Sequence, residues 1–225
     1  MRSLVVALGM VLCPVASAVA QVEVDVGIGV DLPAYPQLVQ VPGQPVYYAP
    51  HLDANYFFYD GLYWVYAGDS WHTSSWYNGP WSRVAPERVP VYVLRVPVRY
   101  YRQPPPYFRG WRREAPPRWG ERWGNDWERG HPGWDRWDRR HVPRPAPLPA
   151  YQRRYSGSHY PQREQQQALH TQHYRYQPRD DAAHRTFEAQ GLRHAPPSER
   201  VVRAAPHPQR PEPQRGERDR DHRHR

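Results

Sequence analysis

Between residues 60 and 81 the chain reads DGLYWVYAGDSWHTSSWYNGPW, and three dipeptides within it, Asp60-Gly61, Gly68-Asp69 and Asn78-Gly79, constrain the fold more than any other feature. Each tolerates positive φ, which a two-residue hairpin needs so that its twist matches the flanking strands. Asp-Gly and Asn-Gly suit a type I′ turn and Gly-Asp a type II′ turn. The spacing predicts a four-stranded antiparallel meander, and with two-residue loops the register follows: Phe58 faces Tyr63, Phe57 faces Trp64, Tyr66 faces Trp71, and Trp76 faces Trp81. Cross-strand partners share a face. One face then carries Phe57, Tyr59, Leu62, Trp64, Tyr66, Trp71 and Tyr77, and the other Tyr56, Phe58, Tyr63, Val65, His72, Trp76 and Trp81.

Both faces are aromatic, and a lone sheet of this size is marginal in water, so at least one face needs a cover. Two segments could supply it. Val22 to Val30 alternates apolar residues with Glu23, Asp25, Gly27 and Gly29 in a strand period of two. Residues 89–101, VPVYVLRVPVRYY, are apolar, but Pro90 and Pro97 confine them to a sheet edge or irregular extended structure. The expected fold class is therefore all-β: a small antiparallel aromatic meander at residues 51–101, preceded at 21–50 by a strand and a proline-rich linker. Any aromatic face left uncovered, with Trp64, Trp71, Trp76 and Trp81, would be a platform for sugar rings or another protein.

Arg2, the apolar run from Leu4 to Ala16, and Ala18 and Ala20 ahead of Gln21 have the anatomy of a cleavable export signal over residues 1–20. The run is too short to span a bilayer, and no later segment comes closer, so no transmembrane span is expected once the signal is removed. Cys13 lies inside the signal and is the only cysteine, so the remaining chain has no disulfide, thiol nucleophile or cysteine metal site.

Charge is divided unevenly. Residues 21–86 hold one arginine against six acids, whereas residues 87–225 hold 29 arginines against 16 acids, so an acidic aromatic front meets a basic back. All basic side chains other than histidine are arginines, which fork phosphate and stack on rings as lysine does not. Beyond Tyr101 the chain holds 18 of its 28 prolines and few aliphatics, a composition expected to leave residues 102–225 largely without fixed structure. That region divides into an Arg/Trp-rich segment, 102–140, and a basic Pro/Gln/His-rich tail, 141–225. Short helices are the exceptions: Trp119, Trp123 and Trp127 share a helical face, and weaker helices run from Gln165 to His173 and from Asp181 to Gln190, ended by Gly191.

Motifs for enzymatic chemistry are missing. Gly27-Ile28-Gly29 has no third glycine and no following helix, and neither a P-loop, a Gly-x-Ser-x-Gly elbow nor a His-Glu-x-x-His motif occurs. Asp60 and Asp69 sit where turns want a short acceptor, and His72 lies within a strand. A hydrolase built on Asp60 or His72 is the least favoured reading. No cofactor is expected. Residues 108–140 interleave Arg109, Arg112, Arg113, Arg118, Arg122 and Arg129 with tryptophans, a combination that grips phosphate while indoles stack. For an exported chain the accessible polyanions are lipopolysaccharide phosphates, anionic lipids and extracellular nucleic acid, the last without sequence specificity. The bland reading of the same stretch is an internally ion-paired segment folded back over the sheet. An alternative function is periplasmic metal binding through His170, His173, His222 and His224.

The order of export signal, YDGLYWVYAGDSWHTSSWYNGPW core, VPVRYYRQPPPYFRGWR connector and Arg/Pro tail resembles a group of exported Trp/Tyr-rich proteins of proteobacteria, loosely related to Trp-Gly repeat proteins of the envelope. The resemblance covers about residues 1–140 and implies a location, the periplasm or cell envelope, without an established activity. A periplasmic metal-homeostasis family also mixes Arg, Trp, Asp and His, but its ordered terminal motif is missing here. The sequence thus points to a non-enzymatic, envelope-associated interaction module contacting anionic polymers or lipids.

Overall fold

A computed structural model describes residues 28–138 and 140–194. Residues 1–20, most of the expected Val22–Val30 strand, and residues 195–225 with His222 and His224 lie outside the described residues, and Ile28 to Val30 are not in a strand. The sheet has six strands in sequential order, each antiparallel to the next: β1 (Val39–Gln40), β2 (Tyr47–Tyr48), β3 (Asn55–Tyr59), β4 (Leu62–Ala67), β5 (Ser70–Ser74) and β6 (Ser82–Val84).

The first two hairpin turns form at their dipeptides, with φ of 49° and 88° at Asp60 and Gly61 and 54° and 59° at Gly68 and Asp69. Both are therefore I′-like, and Gly-Asp does not take the expected II′ form, since its second residue is also left-handed. The register across them is as the spacing predicts: Phe58 with Tyr63, Phe57 with Trp64, and Tyr66 with Trp71. Asn78-Gly79 differs. It lies in a loop between β5 and β6 that pairs Thr73 with Ser82, because Trp76 and Tyr77 leave the sheet for partners far along the chain. Trp76 is ringed edge-on by Tyr151, Tyr155 and Tyr160 at 5.5–5.8 Å.

The meander also begins earlier than expected. A turn at residues 41–44 explains it: the Val41 carbonyl accepts from Gln44 N at 3.0 Å across Pro42 and Gly43, and Gly43 has φ of 70°. That is a type II turn, with proline at its second position and glycine at its third. The presumed linker thus contributes β1 and β2.

Each face of the sheet builds its own core. Phe57, Tyr59, Leu62, Trp64, Tyr66 and Trp71 join Val89, Val93, Leu94, Val96, Trp119, Trp127 and Trp134. Tyr56, Phe58, Tyr63 and Val65 join Leu32, Tyr77, Trp81 and Ala146. Residues 89–101 cover the first face, as helical turns rather than extended chain: α1 (Val91–Leu94) and a 3-10 turn at Val98–Tyr100. Pro90 and Pro97 stand immediately before these turns, where a missing N–H costs nothing.

Helices make the all-β expectation too narrow, and the absence of fixed structure expected beyond residue 101 does not hold for the described residues. α2 (Trp119–Trp123) and α3 (Asn125–Gly130) are separated at Gly124, whose φ of 87° breaks the helix. Their indoles form a ladder, Trp119 on Trp123 at 4.5 Å and Trp123 on Trp127 at 4.9 Å. α4 (Arg163–His173) and α5 (Asp181–His194) follow, the latter running through Gly191. The composition was misleading because order here comes from rings and hydrogen-bonded amides rather than aliphatics. Gln166 Nε2 donates to Pro161 O, and Gln190 Nε2 to Thr73 O. Among the described residues no helix is long and apolar enough to cross a membrane.

Candidate functional site

Trp64, Trp71, Trp76 and Trp81 are 0%, 1%, 0% and 7% exposed, so they form core and offer no platform. The reason is that both faces of the sheet are covered. Trp119, Trp127 and Trp134 of the basic segment are likewise buried, with Trp119 Nε1 donating to Leu94 O at 3.1 Å.

The six arginines separate into two groups. Arg118 pairs with Glu121, Arg129 with Asp126, and Arg122 with Asp69 while lying over the Tyr107 ring. These three follow the bland reading: internal ion pairing. Arg109, Arg112 and Arg113 are exposed, and among the described residues no carboxylate pairs with them.

A groove collects two of these three. Pro104 to Pro106 form a stiff wall leading into a 3-10 turn at Pro106–Phe108, and Gly110, with φ of 80°, reverses the chain so that Trp111 stacks on Phe108 at 4.4 Å. The opposite wall is Val98 to Tyr101, tied on by Val98 N to Ala115 O and Arg99 N to Arg113 O, both 3.0 Å. The enclosed groove has a volume of about 570 Å³, and Arg99, Arg109 and Arg113 line it with no acidic residue among its walls. Arg99 is steadied by Glu114 at 2.7 Å outside the groove and by the Tyr100 hydroxyl at 2.8 Å. Its floor, Val98, Tyr101 and Phe108, is apolar and buried. Cations over an apolar floor suit a ligand with both anionic groups and ring faces. Sequence reasoning found Arg109 and Arg113 but missed Arg99, which the connector VPVRYYRQPPPYFRGWR had carried all along.

A larger cleft, about 760 Å³, lies between α4 and α5 and is lined by residues that include His170, Arg175, His184 and Glu188. His170 does not meet His173 as a ligand pair. It is 5% exposed, whereas His173 is exposed beside the Tyr151 ring. Among the described residues, no group of three or more His, Cys, Asp or Glu side chains could hold a metal ion.

Burial holds the His170 imidazole well below its usual range, at about 4. The unfolded chain takes up that proton near pH 6.5 and so binds more protons between the two values. Stability should be complete above about pH 6.5 and fall by roughly 3 kcal/mol as the pH drops toward 4. The titratable groups around the cleft are Tyr151, His173, Tyr174, Arg175, His184 and Glu188. Urea unfolding from pH 7 to pH 4 checks this: His170→Gln should flatten the slope, and an unchanged slope assigns the loss to another group.

The acids considered for hydrolysis are engaged structurally. Asp60 accepts three hydrogen bonds, from Tyr176 Oη and from the backbone N–H groups of Arg179 and Asp180. Asp69 accepts from Tyr66 and Tyr107 and pairs with Arg122. No family model, no curated protein and no solved structure matches the chain.

Proposed function

We propose that the protein is a non-enzymatic exported module that binds anionic polymers of the cell envelope through the groove of Arg99, Arg109 and Arg113. The observation supporting this reading is a groove with no carboxylate among its walls that holds Arg109 and Arg113, neither paired with a carboxylate among the described residues, beside the Glu114-paired Arg99. Phosphate groups of a lipopolysaccharide or anionic lipid would take the guanidinium forks, while a sugar ring or acyl stem would lie against Trp111 and the prolines. Export rests on residues 1–20, and the envelope location on the resemblance of residues 1–140.

Removing the region after residue 101 is a poor test, because its residues to 194 complete both cores. Point variants on the groove are better. Arg109→Gln with Arg113→Gln should weaken binding to lipopolysaccharide or to vesicles containing phosphatidylglycerol by roughly 10- to 100-fold. The remaining affinity should also depend less on salt, and the melting temperature should stay the same. Arg129→Gln, on a residue paired with Asp126 away from the groove, is the control and should bind as the parent does. Equal binding by the double variant would remove the reading.

A further inference from the structure

The α4–α5 cleft carries a second inference, independent of the groove, and it begins with a proton. Gln152 is fully buried, and its amide orientation is fixed by the backbone: Oε1 accepts from Tyr77 N at 3.2 Å, and Nε2 donates to Ser75 O at 2.9 Å. Nε2 also lies 3.1 Å from Tyr151 Oη, so that oxygen is the acceptor there. The one Tyr151 hydroxyl proton is then free to go to His170 Nδ1, 3.0 Å away. Nδ1 accepts, and the imidazole carries its own proton on Nε2. Nε2 is buried and has no partner. A buried donor without an acceptor is costly, and this one belongs to a residue that lines a cleft.

The surroundings describe the acceptor. Arg175 lines the same cleft as His170, giving a second donor suited to a carboxylate. Glu188 of α5 lines the same cleft, 3.7 Å from His184 Nδ1, and a ligand bearing only negative charge would be repelled by it. The exposed side chains of Gln167 and Gln177, also on the walls, each offer a donor and an acceptor, as an amide-containing ligand requires. The volume is within the range of small-molecule sites.

We propose that this cleft binds a short peptide with free termini, its carboxylate held by His170 Nε2–H and Arg175 and its ammonium by Glu188. Nε2 has almost no accessible surface in this conformation, and the half-buried Phe187 ring lies 5.6 Å from the imidazole. Binding therefore requires the side chains over Nε2 to shift, with Phe187, on the cleft wall, the nearest ring of α5.

Trialanine is a suitable probe, read through the imidazole ¹⁵N resonances of His170. In the free protein, Nε2 should be the protonated nitrogen. Trialanine should move its resonance saturably, while the C-terminal amide and the N-acetylated peptide should each bind at least tenfold more weakly. Arg175→Gln and Glu188→Gln change cleft side chains without emptying the core. The first should cut the advantage of the free carboxylate to what His170 alone supplies, and the second should erase that of the free ammonium. A protonated Nδ1 in the free protein, no saturable shift, or equal binding of blocked and free peptides would each overturn the proposal.

Discussion

Asp60→Ala is expected to destabilise the protein by about 4–6 kcal/mol, and Asp60→Asn by only about 1–2 kcal/mol. The carboxylate belongs to the hairpin turn between β3 and β4, yet its partners lie more than a hundred residues away. Oδ2 accepts from Arg179 N at 2.6 Å and Asp180 N at 2.7 Å, and Oδ1 from Tyr176 Oη at 2.5 Å. Asp180 in turn caps α5, its Oδ1 accepting from Ala182 N and Ala183 N, while Tyr59 Oη donates to its Oδ2. Alanine removes these acceptors from partly buried donors and must also hold φ near 49° with a Cβ. Asparagine tolerates that backbone, can accept both N–H groups through Oδ1, and can donate to Tyr176 through Nδ2. For a fold of this size the alanine variant should melt about 10–20 °C lower. Hydrogen exchange supplies the sharper test, since the amides of α5 should lose protection before those of β3 and β4. Uniform loss across the sheet and α5 would show that the turn does not anchor the helix.

The contrast between the two halves of the molecule explains what the sequence could show. Register across Asp60-Gly61 and Gly68-Asp69 was legible because a two-residue turn fixes pairing locally, whatever the rest of the chain does. Asn78-Gly79 carries the same signal and obeys a different constraint, since Trp76 Nε1 donates to Gln166 O, ninety residues on. Such a partner leaves no local trace. Helices near residues 119–127, 165–173 and 181–190 were legible, but the order of the segment around them was not, for a related reason. The buried positions of α4 are Gln166 and His170, and those of α5 include Ala183 and Gln190, so neither helix shows an apolar stripe. Their burial is made acceptable by hydrogen bonds that only the folded chain brings together.

The candidate sites divide along the same line. Arg109 and Arg113 stand close in sequence and were found by local composition. Arg99 joins them through the backbone pairing of residues 98–99 with 113–115. His170 was noticed for its neighbour His173, but its partner is Tyr151, which no spacing rule would select. Aromatic side chains were legible as the source of burial, and of the two readings of the tryptophans at residues 119–134, ligand stacking or a segment folded back over the sheet, the core holds the second.

Gln152→Leu should have the other large effect, about 4–6 kcal/mol, despite preserving volume and adding apolar surface. The amide makes four hydrogen bonds in the interior. Oε1 accepts from Tyr63 Oη and Tyr77 N, and Nε2 donates to Ser75 O and Tyr151 Oη. Leucine would take the amide partner from all four groups, leaving Tyr63 Oη and Tyr77 N buried without it, and the β5–β6 loop would lose its tie to the segment around residue 152. Gln152→Glu separates geometry from chemistry. An ionised carboxylate can still accept from Tyr63 and Tyr77 but would face the Ser75 carbonyl, so burial raises its pKa in the folded chain above the unfolded value near 4.3. Relative to the parent protein, the glutamate variant should be least impaired below about pH 4.3 and lose further stability as pH rises through its folded pKa. The same substitutions reach the α4–α5 cleft. Without the Gln152 donor, Tyr151 Oη is no longer confined to donating toward His170 Nδ1, and the leucine variant should show both imidazole tautomers. A single Nε2–H tautomer persisting in that variant would mean that the cleft, rather than the core amide, sets the proton.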